Sequence, residues 1–287
     1  MSGEGDTDDG ADSSRATAGE RSLQVLVVTK GHPFDKGAFF DLVDGLDGIE
    51  TTCVEQPAAQ HFFHPERARQ WDCFLCYDMP GIHFDQQGPR FETPSPEFVR
   101  DFEALLASGF GIVFLHHALA GWPAWPGFAE IVGGRFLYLP GELRGRRCED
   151  SGYRHGVEHE VSVCDPAHPV VAGLPARFTM TDELYLAEVF EDSVTPLLRS
   201  GHRFEAEGFY SAAHAVRDGR MYSNAGWTHA PGSDLVGWIK RAGRSPVCYL
   251  QGGDDPVAYA SPEYRRLLGN ALHWVASDEA SNWARQP

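Results

Sequence analysis

Two adjacent histidines, His116 and His117, directly follow the apolar run "GFGIVFL". A short apolar run bounded by glycine is typical of a buried strand, so these histidines stand where a strand ends. Histidine can transfer protons near neutral pH, and its neutral ring can bind a metal ion. The pair therefore indicates either acid–base chemistry or a metal site at His116, while His117 is equally compatible with simply facing solvent.

Polar residues also follow two other strand-like runs. "LQVLVVT" leads to His32 and Asp35, and "CFLCYD" ends at Asp78. The carboxyl ends of parallel strands lie at one edge of a sheet, where such folds bind ligands. Taken singly, Asp35 is equally suited to cap the next helix and Asp78 to hold the turn "DMPG". The convergence of three strand ends favours a site that contains His32, Asp78 and His116.

The elements that must position these residues alternate between strand-like and helix-like segments. "LQVLVVT" is followed by the amphipathic segment "DKGAFFDLVDGL", and "SPEFVRDFEALLASG" has the capping serine, early proline and final glycine of a helix. Strands that are apolar on both faces and joined by helices predict a parallel sheet with helices on both faces. The sequence therefore predicts the α/β class.

The second half of the chain is richer in strand-like runs. These include "HEVSVCD", "AAHAV", "RMYSNA" and "SPVCYLQ", with a hairpin turn expected at "RDGR" before the closing helix "SPEYRRLLGNALHWVAS". We predict one α/β domain over residues 22–277 with a β-rich C-terminal half. An acidic, disordered tail is expected over residues 1–21 and a short C-terminal tail over residues 278–287.

Composition excludes several partners. The formal net charge is −17, from 41 acidic residues against 24 Lys and Arg, so attraction to nucleic acid or to an anionic membrane surface is not expected. The N-terminus lacks the basic and apolar regions of a signal peptide, and the six cysteines lie mostly in apolar runs, which together favour a cytoplasmic protein with reduced thiols. The CxxC pair Cys73 and Cys76 would face opposite sides of a strand. The oligomeric state stays open, a homo-oligomer included.

Other familiar chemistries lack their motifs. The strand-to-helix elbow carries histidine where covalent acyl-transfer enzymes place serine or cysteine between glycines. The loop "TKGHPFDKG" after the first strand has no Gly-x-Gly-x-x-Gly turn and no P-loop, so there is no NAD or nucleotide signature. The histidine spacing fits no standard zinc motif. A divalent metal would need ligands from separate loops, with His32 and His116 joined by Asp35, Asp78 or Glu183.

The segment "DELY" places Asp182, Glu183 and Tyr185 together. Neighbouring acids can act as general acid and base or hold a metal, although Glu183 is equally suited to a structural hydrogen bond and Asp182 to capping a turn. Aromatic rings beside hydrogen-bonding groups suit sugars, although tryptophans equally suit a core. The remaining candidates for sugar contact are Trp122, then Tyr153, His155 and His159 in "SGYRHGVEH", and Trp227 and His229 in "YSNAGWTH".

Several ordered motifs carry a family resemblance. "GFGIVFLHHA" resembles the Gly-x-Gly-(apolar)-His elbow of the ThuA-like family, named for trehalose utilisation, and "YDMPG", "HPVVAGL", "DELY" and "NALHWVA" follow in the same order. The resemblance runs from about Val25 to Ala276. It implies a flavodoxin-like or class I glutamine amidotransferase-like fold. In those relatives the elbow is a cysteine, so His116 at that position argues against glutaminase activity.

One motif departs from the family. Many ThuA-like sequences have a Gly-His pair after the last strand, where this chain reads "LQGGDDP" with Gly253 and Asp254. The role of that histidine cannot be carried over, and Asp254 is a candidate polar group at the same rim.

The resemblance implies carbohydrate utilisation, with trehalose, a related disaccharide or a keto-sugar as ligand. We expect His116 to act as acid or base on the sugar, with Asp78, Asp182 or Glu183 orienting it or sharing the proton. His32, His117, Tyr185 and the other candidates would contact the sugar. Two alternatives stay open: a metal-dependent hydrolase, and a non-catalytic sugar-binding or regulatory module. The cofactor stays open, a divalent metal included.

Overall fold

The computed structural model describes residues 21–85 and 88–286, and this part of the chain forms a ten-stranded sheet and three small two-stranded sheets, with eight α-helices. The strands are β1 (Leu23–Lys30), β2 (Ile49–Glu55), β3 (Cys73–Asp78), β4 (Ile82–Asp85), β5 (Gly88–Phe91), β6 (Gly111–Leu115), β7 (Gly134–Arg135), β8 (Gly141–Leu143), β9 (Arg146–Cys148), β10 (Gly152–Val163), β11 (Arg177–Leu186), β12 (Glu188–Val189), β13 (Thr195–Ser200), β14 (Tyr210–Ser211), β15 (Leu235–Ala242) and β16 (Ser245–Leu250). The helices are α1 (Lys36–Asp44), α2 (Pro65–Ala68), α3 (Pro96–Ser108), α4 (Pro126–Val132), α5 (Ala212–Val216), α6 (Pro256–Ala260), α7 (Pro262–Val275) and α8 (Asp278–Ala284).

The large sheet has a parallel half and an antiparallel half. Strands β2, β1, β3, β6 and β16 are neighbours in that order and pair in parallel, while β15, β13, β10 and β11 continue the sheet with antiparallel pairing. This confirms the predicted α/β fold with a β-rich second half. The parallel half brings the carboxyl ends of β1, β3, β6 and β16 to one edge.

Both faces of the parallel half are buried. Val25 and Val27 belong to one core cluster, which includes residues of α1 and α7, whereas Leu26 and Val28 belong to a second cluster with residues of α3 and α4. Successive side chains of a strand point to opposite faces, so this alternation shows helices on both sides of the sheet. It also explains why the strand sequences are apolar throughout.

The two helices with clear sequence boundaries form as predicted. In α3, the Ser95 side chain accepts a hydrogen bond from the amide of Phe98, and Gly109 ends the helix with φ +92°, a conformation that favours glycine. In α7, Ser261 caps the amide of Tyr264 in the same way, and the expected apolar face is buried. Both helices therefore cover the sheet as the sequence predicts.

Three segments differ from the sequence expectations or extend them. "AAHAV" forms helix α5 rather than a strand because the Ser211 hydroxyl caps it at the amide of His214, and residues 217–234 contain no strand, so "RDGR" joins no hairpin. Residues 278–284, assigned above to a C-terminal tail, form α8 with Ala280 and Ala284 buried. The acidic tail lies, apart from Arg21, outside the described residues. None of the helices in residues 21–85 and 88–286 has the length and apolarity needed to span a bilayer.

Candidate functional site

His116 begins a sharp turn at the end of β6. Its φ is +46°, a left-handed conformation that is uncommon for a residue with a side chain, and a 3-10 turn follows over His116–Ala120. The Tyr249 hydroxyl donates to the His116 carbonyl at 3.0 Å and holds the turn. Uncommon backbone conformations of this kind persist where the surrounding structure enforces them, often at functional sites.

The His116 ring has polar partners on both nitrogens. Nδ1 lies 2.7 Å from the carbonyl oxygen of Gln251, and because a carbonyl only accepts, Nδ1 carries the hydrogen. Nε2 lies 2.6 Å from the Tyr185 hydroxyl, 3.1 Å from Glu183 Oε2 and 3.3 Å from Asp254 Oδ1. We refer to His116, Glu183 and Asp254 as the His–Glu–Asp cluster.

A second histidine spans the same two carboxylates. His155 Nδ1 lies 3.2 Å from Glu183 Oε1 and 3.5 Å from Asp254 Oδ2, so each carboxylate has one oxygen towards His116 and the other towards His155. The His155 side chain is 43% exposed, whereas the His116 side chain is fully buried. The two carboxylates therefore lie between an inner histidine, His116, and an outer one, His155.

Asp182 supports the cluster from behind. Its carboxylate accepts hydrogen bonds from the backbone amides of Glu183, Gly253 and Asp254 at 2.8, 2.7 and 3.1 Å. Asp182 thereby ties β11 to the loop after β16 and fixes the backbone that carries both carboxylates of the cluster. Burial raises the pKa of Asp182 to about 6.

Electrostatics at this site favour charged histidines beside a charged Asp254. Burial by itself would lower the pKa of His116, but hydrogen bonds to Asp254 and Glu183 outweigh it and hold that pKa well above its usual value. The hydrogen bond to Asp254 likewise raises the pKa of His155. For Asp254, burial opposes ionisation, yet the hydrogen bonds from His116 and His155 hold its pKa well below the usual range.

A cavity opens onto the outer side of the cluster. His116 has no exposed surface and lies behind Glu183 and Tyr185, so these two residues, with His155 and His32, present the polar groups of the wall. Aromatic rings form much of the remainder, including Phe136, Tyr138 and Tyr153. A cavity with aromatic walls and a few converging polar groups suits a small organic ligand.

His32 and His117 lie beside the cluster as a stacked pair. Their ring centroids are 4.5 Å apart, and His117 Nε2 lies 3.3 Å from the carbonyl oxygen of Tyr77. Burial lowers the pKa of both rings, so both are neutral at neutral pH. Within the described residues, Nδ1 of His32 and Nδ1 of His117 are buried without a hydrogen-bond partner. His32 lines the cavity and His117 does not.

Asp78, predicted to be catalytic, lies away from the cluster. It is buried, its Oδ2 accepts a hydrogen bond from Gln56 Nε2 at 2.7 Å, and burial raises its pKa to about 7. Its side chain borders a small apolar hollow beside Phe98 and Trp122. The strand-end prediction was right about the position of Asp78 in the fold, but the structure does not bring it to His116.

Three aromatic or histidine candidates also lie outside the cavity wall. Trp122 is 4% exposed and packs on Phe98 with ring centroids 5.3 Å apart. Trp227 donates its indole N–H to Asp150 at 3.1 Å, and the partly exposed His229 is hydrogen-bonded to the carbonyl of Ala230. These contacts account for the three residues as structural or surface groups.

Sequence reasoning missed Gln251 and Tyr138, whereas Tyr153, a candidate from the sequence, does line the cavity. Gln251 orients His116 through its carbonyl and accepts from the Tyr185 amide through its side chain at 2.9 Å. It directly follows β16, so the strand-end rule applied to "SPVCYLQ" would have found it. Tyr138 follows no rule of this kind, since its position depends on how the chain folds over the edge of the sheet.

The same cluster has the donor types of a metal site. One ligand atom each of His116, Glu183 and Asp254 lie within 4.8 Å of one another. His32, which the sequence analysis paired with His116 for a metal, is not in this set, and its ring centroid lies 6.4 Å from that of His116. Asp35 instead caps α1 at the amide of Ala38.

The fold and this elbow are those of one protein family. The sequence profile of the ThuA family, described as trehalose utilisation, matches residues 24–275, so the chain belongs to that family. This confirms the resemblance found in the sequence motifs.

Solved structures agree with the assignment at the level of the fold. A ThuA-like protein from Parabacteroides merdae is 17% identical with a TM-score of 0.60, over 89% of this chain and 90% of that one. A ThuA-like protein from Bacteroides uniformis is 18% identical with a TM-score of 0.60, over 92% of this chain and 96% of that one. The cytoplasmic protein STM3548 from Salmonella typhimurium is 11% identical with a TM-score of 0.54, over 88% of this chain and 99% of that one. No curated protein matches the sequence.

Proposed function

We propose that the protein is an enzyme that transfers a proton to or from a sugar bound in the cavity, with His155 as the group that meets the substrate. The observation that carries the proposal is the contact of His155 Nδ1 with Glu183 Oε1 and Asp254 Oδ2, at 3.2 and 3.5 Å, on the wall of the cavity. The family, described as trehalose utilisation, supports a disaccharide or its keto derivative as substrate.

The two carboxylates orient His155 for this role. A carboxylate only accepts hydrogen bonds, so Nδ1 of His155 carries a hydrogen and Nε2 is left to exchange a proton with a ligand. This is the logic of a catalytic histidine whose tautomer and orientation are fixed by an acid. We therefore propose His155, and not His116, as the acid–base residue, because His116 has no exposed surface from which it could reach a substrate.

His116 and Tyr185 complete the site from the inner side. The buried His116 ring contacts both carboxylates and keeps their inner oxygens in place. Tyr185 stacks on His116 with ring centroids 4.6 Å apart and lines the cavity, so its ring offers an apolar face to a sugar. Glu183 and Tyr185 are therefore proposed to contact the substrate, and His116 is proposed to act as a positioning residue.

The test compares a histidine on the cavity wall with one outside it. Wild type, His155→Ala and the matched control His229→Ala are incubated with trehalose, related disaccharides and their keto derivatives, and consumption is followed by NMR. Loss of a positioned acid–base group typically lowers turnover by about 10²- to 10⁴-fold, so His155→Ala is expected to lose at least about 100-fold with binding largely retained, and added imidazole should restore part of it.

Two results would count against this function. Undiminished turnover by His155→Ala would remove His155 from the chemistry. Saturable binding of a sugar that wild-type protein leaves unaltered would instead favour the non-catalytic binding module considered from the sequence. His229→Ala should match wild type in every case, because His229 lies outside the cavity wall and is bonded only to a neighbouring backbone carbonyl among the hydrogen bonds described.

The proposal also includes a small-molecule partner and a cytoplasmic location. The excess of acidic residues supports neither nucleic acid nor anionic lipid as a partner. All six cysteines lie in the described residues and are free thiols, which is typical of a reducing compartment.

A further inference from the structure

We propose that the His–Glu–Asp cluster binds one divalent transition-metal ion, such as Zn²⁺ or Mn²⁺, through His116 Nε2 and one oxygen each of Glu183 and Asp254. The ligand atoms lie within 4.8 Å of one another and come from three separate elements of the fold. The inference deepens the proposed function, on which its role in sugar chemistry rests, by adding an electrophile beside His155.

The His116 tautomer suits a metal ligand. Nδ1 donates to the carbonyl of Gln251 at 2.7 Å, so Nε2 faces the two carboxylates, and a metal ion would bind the Nε2 lone pair in place of a proton. Metal-binding histidines commonly donate their other N–H to a backbone carbonyl or carboxylate, which fixes the ring and raises its basicity. Without a proton or a cation on Nε2, this lone pair would face two carboxylate oxygens, an unfavourable arrangement.

The spacing of the donors also suits a small ion. Metal–nitrogen and metal–oxygen bonds of Zn²⁺ are about 2.0–2.2 Å, so tetrahedral ligand atoms lie roughly 3.3 Å apart. His116 Nε2 is 3.1 Å from Glu183 Oε2 and 3.3 Å from Asp254 Oδ1. Hydrogen bonds have the same lengths, so the distances are compatible with a metal ion, and the types of the ligand atoms are what indicate one. One imidazole with two carboxylates is a ligand set that suits zinc or manganese.

Charge favours a divalent ion in this position. The side chains of Glu183 and Asp254 are 4% and 14% exposed, so two carboxylates lie largely out of water on one side of the His116 ring. Buried carboxylates are stable when paired with positive charge, and a divalent ion balances both. Asp182 holds the backbone of both ligands through its hydrogen bonds to their amides, which preorganises the pair.

The remaining neighbours define what the ion could reach. Three protein ligands leave a coordination position open, as in catalytic metal sites. Tyr185, whose hydroxyl shares Nε2 at 2.6 Å, would have to give up this contact on metal binding. His155 binds the outer oxygens of both carboxylates and stays available for proton transfer. Because Tyr185 lies between His116 and the cavity, its displacement would also open the ion to a sugar oxygen, which the ion would polarise as a Lewis acid.

The test measures metal binding without sugar. Chelator-treated full-length protein is titrated with Zn²⁺ and with Mn²⁺ by calorimetry, and bound metal is counted by elemental analysis. Wild type should bind one ion per chain. Asp254→Asn should bind it at least about 100-fold more weakly, since it removes a charged ligand with little change of shape. The matched control Asp255→Asn removes the same charge one residue away, from the N-cap of α6, and should bind as wild type does.

A second ligand variant guards against local misfolding. Glu183→Gln should lose affinity in the same way, and circular dichroism should show that both variants are folded. Absence of binding to wild type, or an affinity and stoichiometry unchanged in both ligand variants, would overturn the metal site and place any ion elsewhere. Because no sugar is present, such a failure would leave the proposed function standing, whereas metal binding without any sugar turnover would overturn that function alone.

Discussion

Asp78→Asn tests whether the buried carboxyl group of Asp78, at the end of β3, lowers the free energy of unfolding by an amount that depends on pH. Asp78 is 4% exposed, and burial raises its pKa to about 7. An aspartate in the unfolded chain has a pKa of about 3.9, so the folded state resists ionisation of this carboxyl group. The asparagine amide oxygen can still accept the hydrogen bond that Gln56 donates to Asp78, so the substitution removes the charge and keeps the shape.

The sign and size of the effect follow from linkage. Because the pKa of Asp78 is higher in the folded state, its ionisation destabilises the fold. This loss of stability is absent below about pH 4, grows as the pH rises to about 7 and reaches its full size above that pH. A difference of about three pKa units at about 1.4 kcal/mol each gives about 4 kcal/mol as an upper value. The free energy of unfolding of Asp78→Asn should therefore match wild type near pH 4 and exceed it by up to about 4 kcal/mol at pH 8.

Urea unfolding followed at pH 4, 5, 6, 7 and 8 measures this difference. The exposed Asp165, which accepts a hydrogen bond from the amide of Ala167, supplies the control, because Asp165→Asn removes a carboxylate that stays hydrated on folding. Its difference from wild type should not rise with pH. A stability difference for Asp78→Asn that is flat across this range, or a variant less stable than wild type at pH 8, would refute the reasoning.

Two further predictions concern the support of the elbow. Gly111→Ala should lower the free energy of unfolding by at least about 2 kcal/mol in urea unfolding, because a Cβ there would lie 2.0 Å from the Val275 carbonyl oxygen in α7. A fully stable variant would show that α7 can shift freely. Tyr185→Phe should lower the free energy of unfolding by about 1 kcal/mol, since it removes the buried hydroxyl that lies 2.6 Å from His116 Nε2 and keeps the ring. Equal stability of the variant and wild type in urea unfolding would show that this contact contributes nothing.

Much of the fold could be predicted because its signals are local. The apolar strands, the capping serines and the closing helix each follow from a few consecutive residues, and the structure has them at the expected places. The strand prediction for "AAHAV" was wrong. A short run of small residues has no hydrophobic period of its own, and the hydrogen bond from the His214 amide to the Ser211 side chain stabilises a helix there. Local patterns therefore predicted the elements that have clear capping and terminating residues, and they failed for a segment that lacks a clear hydrophobic period.

The separation of Asp78 from His116 has a cause that the strand pattern contains. Side chains two residues apart in a strand share a face, and Phe74 and Cys76 both pack in the core cluster that includes α3 residues. Asp78 ends β3 with the same parity and lies beside Gln56, among aromatic side chains of that face. The strand-end rule predicts the edge of the sheet at which a residue lies, and parity decides the face to which it points.

The His–Glu–Asp cluster needed information that no single segment holds. His116 is 67 positions from Glu183 and 135 from Gln251, and it meets the loop after β16 only because β16 inserts beside β6 in the sheet. The Gly-His pair expected from the family pattern falls at Gly252 and Gly253 in this chain, so that pattern could not supply the role of the neighbouring Asp254. Once β16 is placed beside β6, the carboxyl-end rule brings Gln251 and Asp254 to His116, and Asp182 brings in Glu183 by bonding the backbone of that same loop.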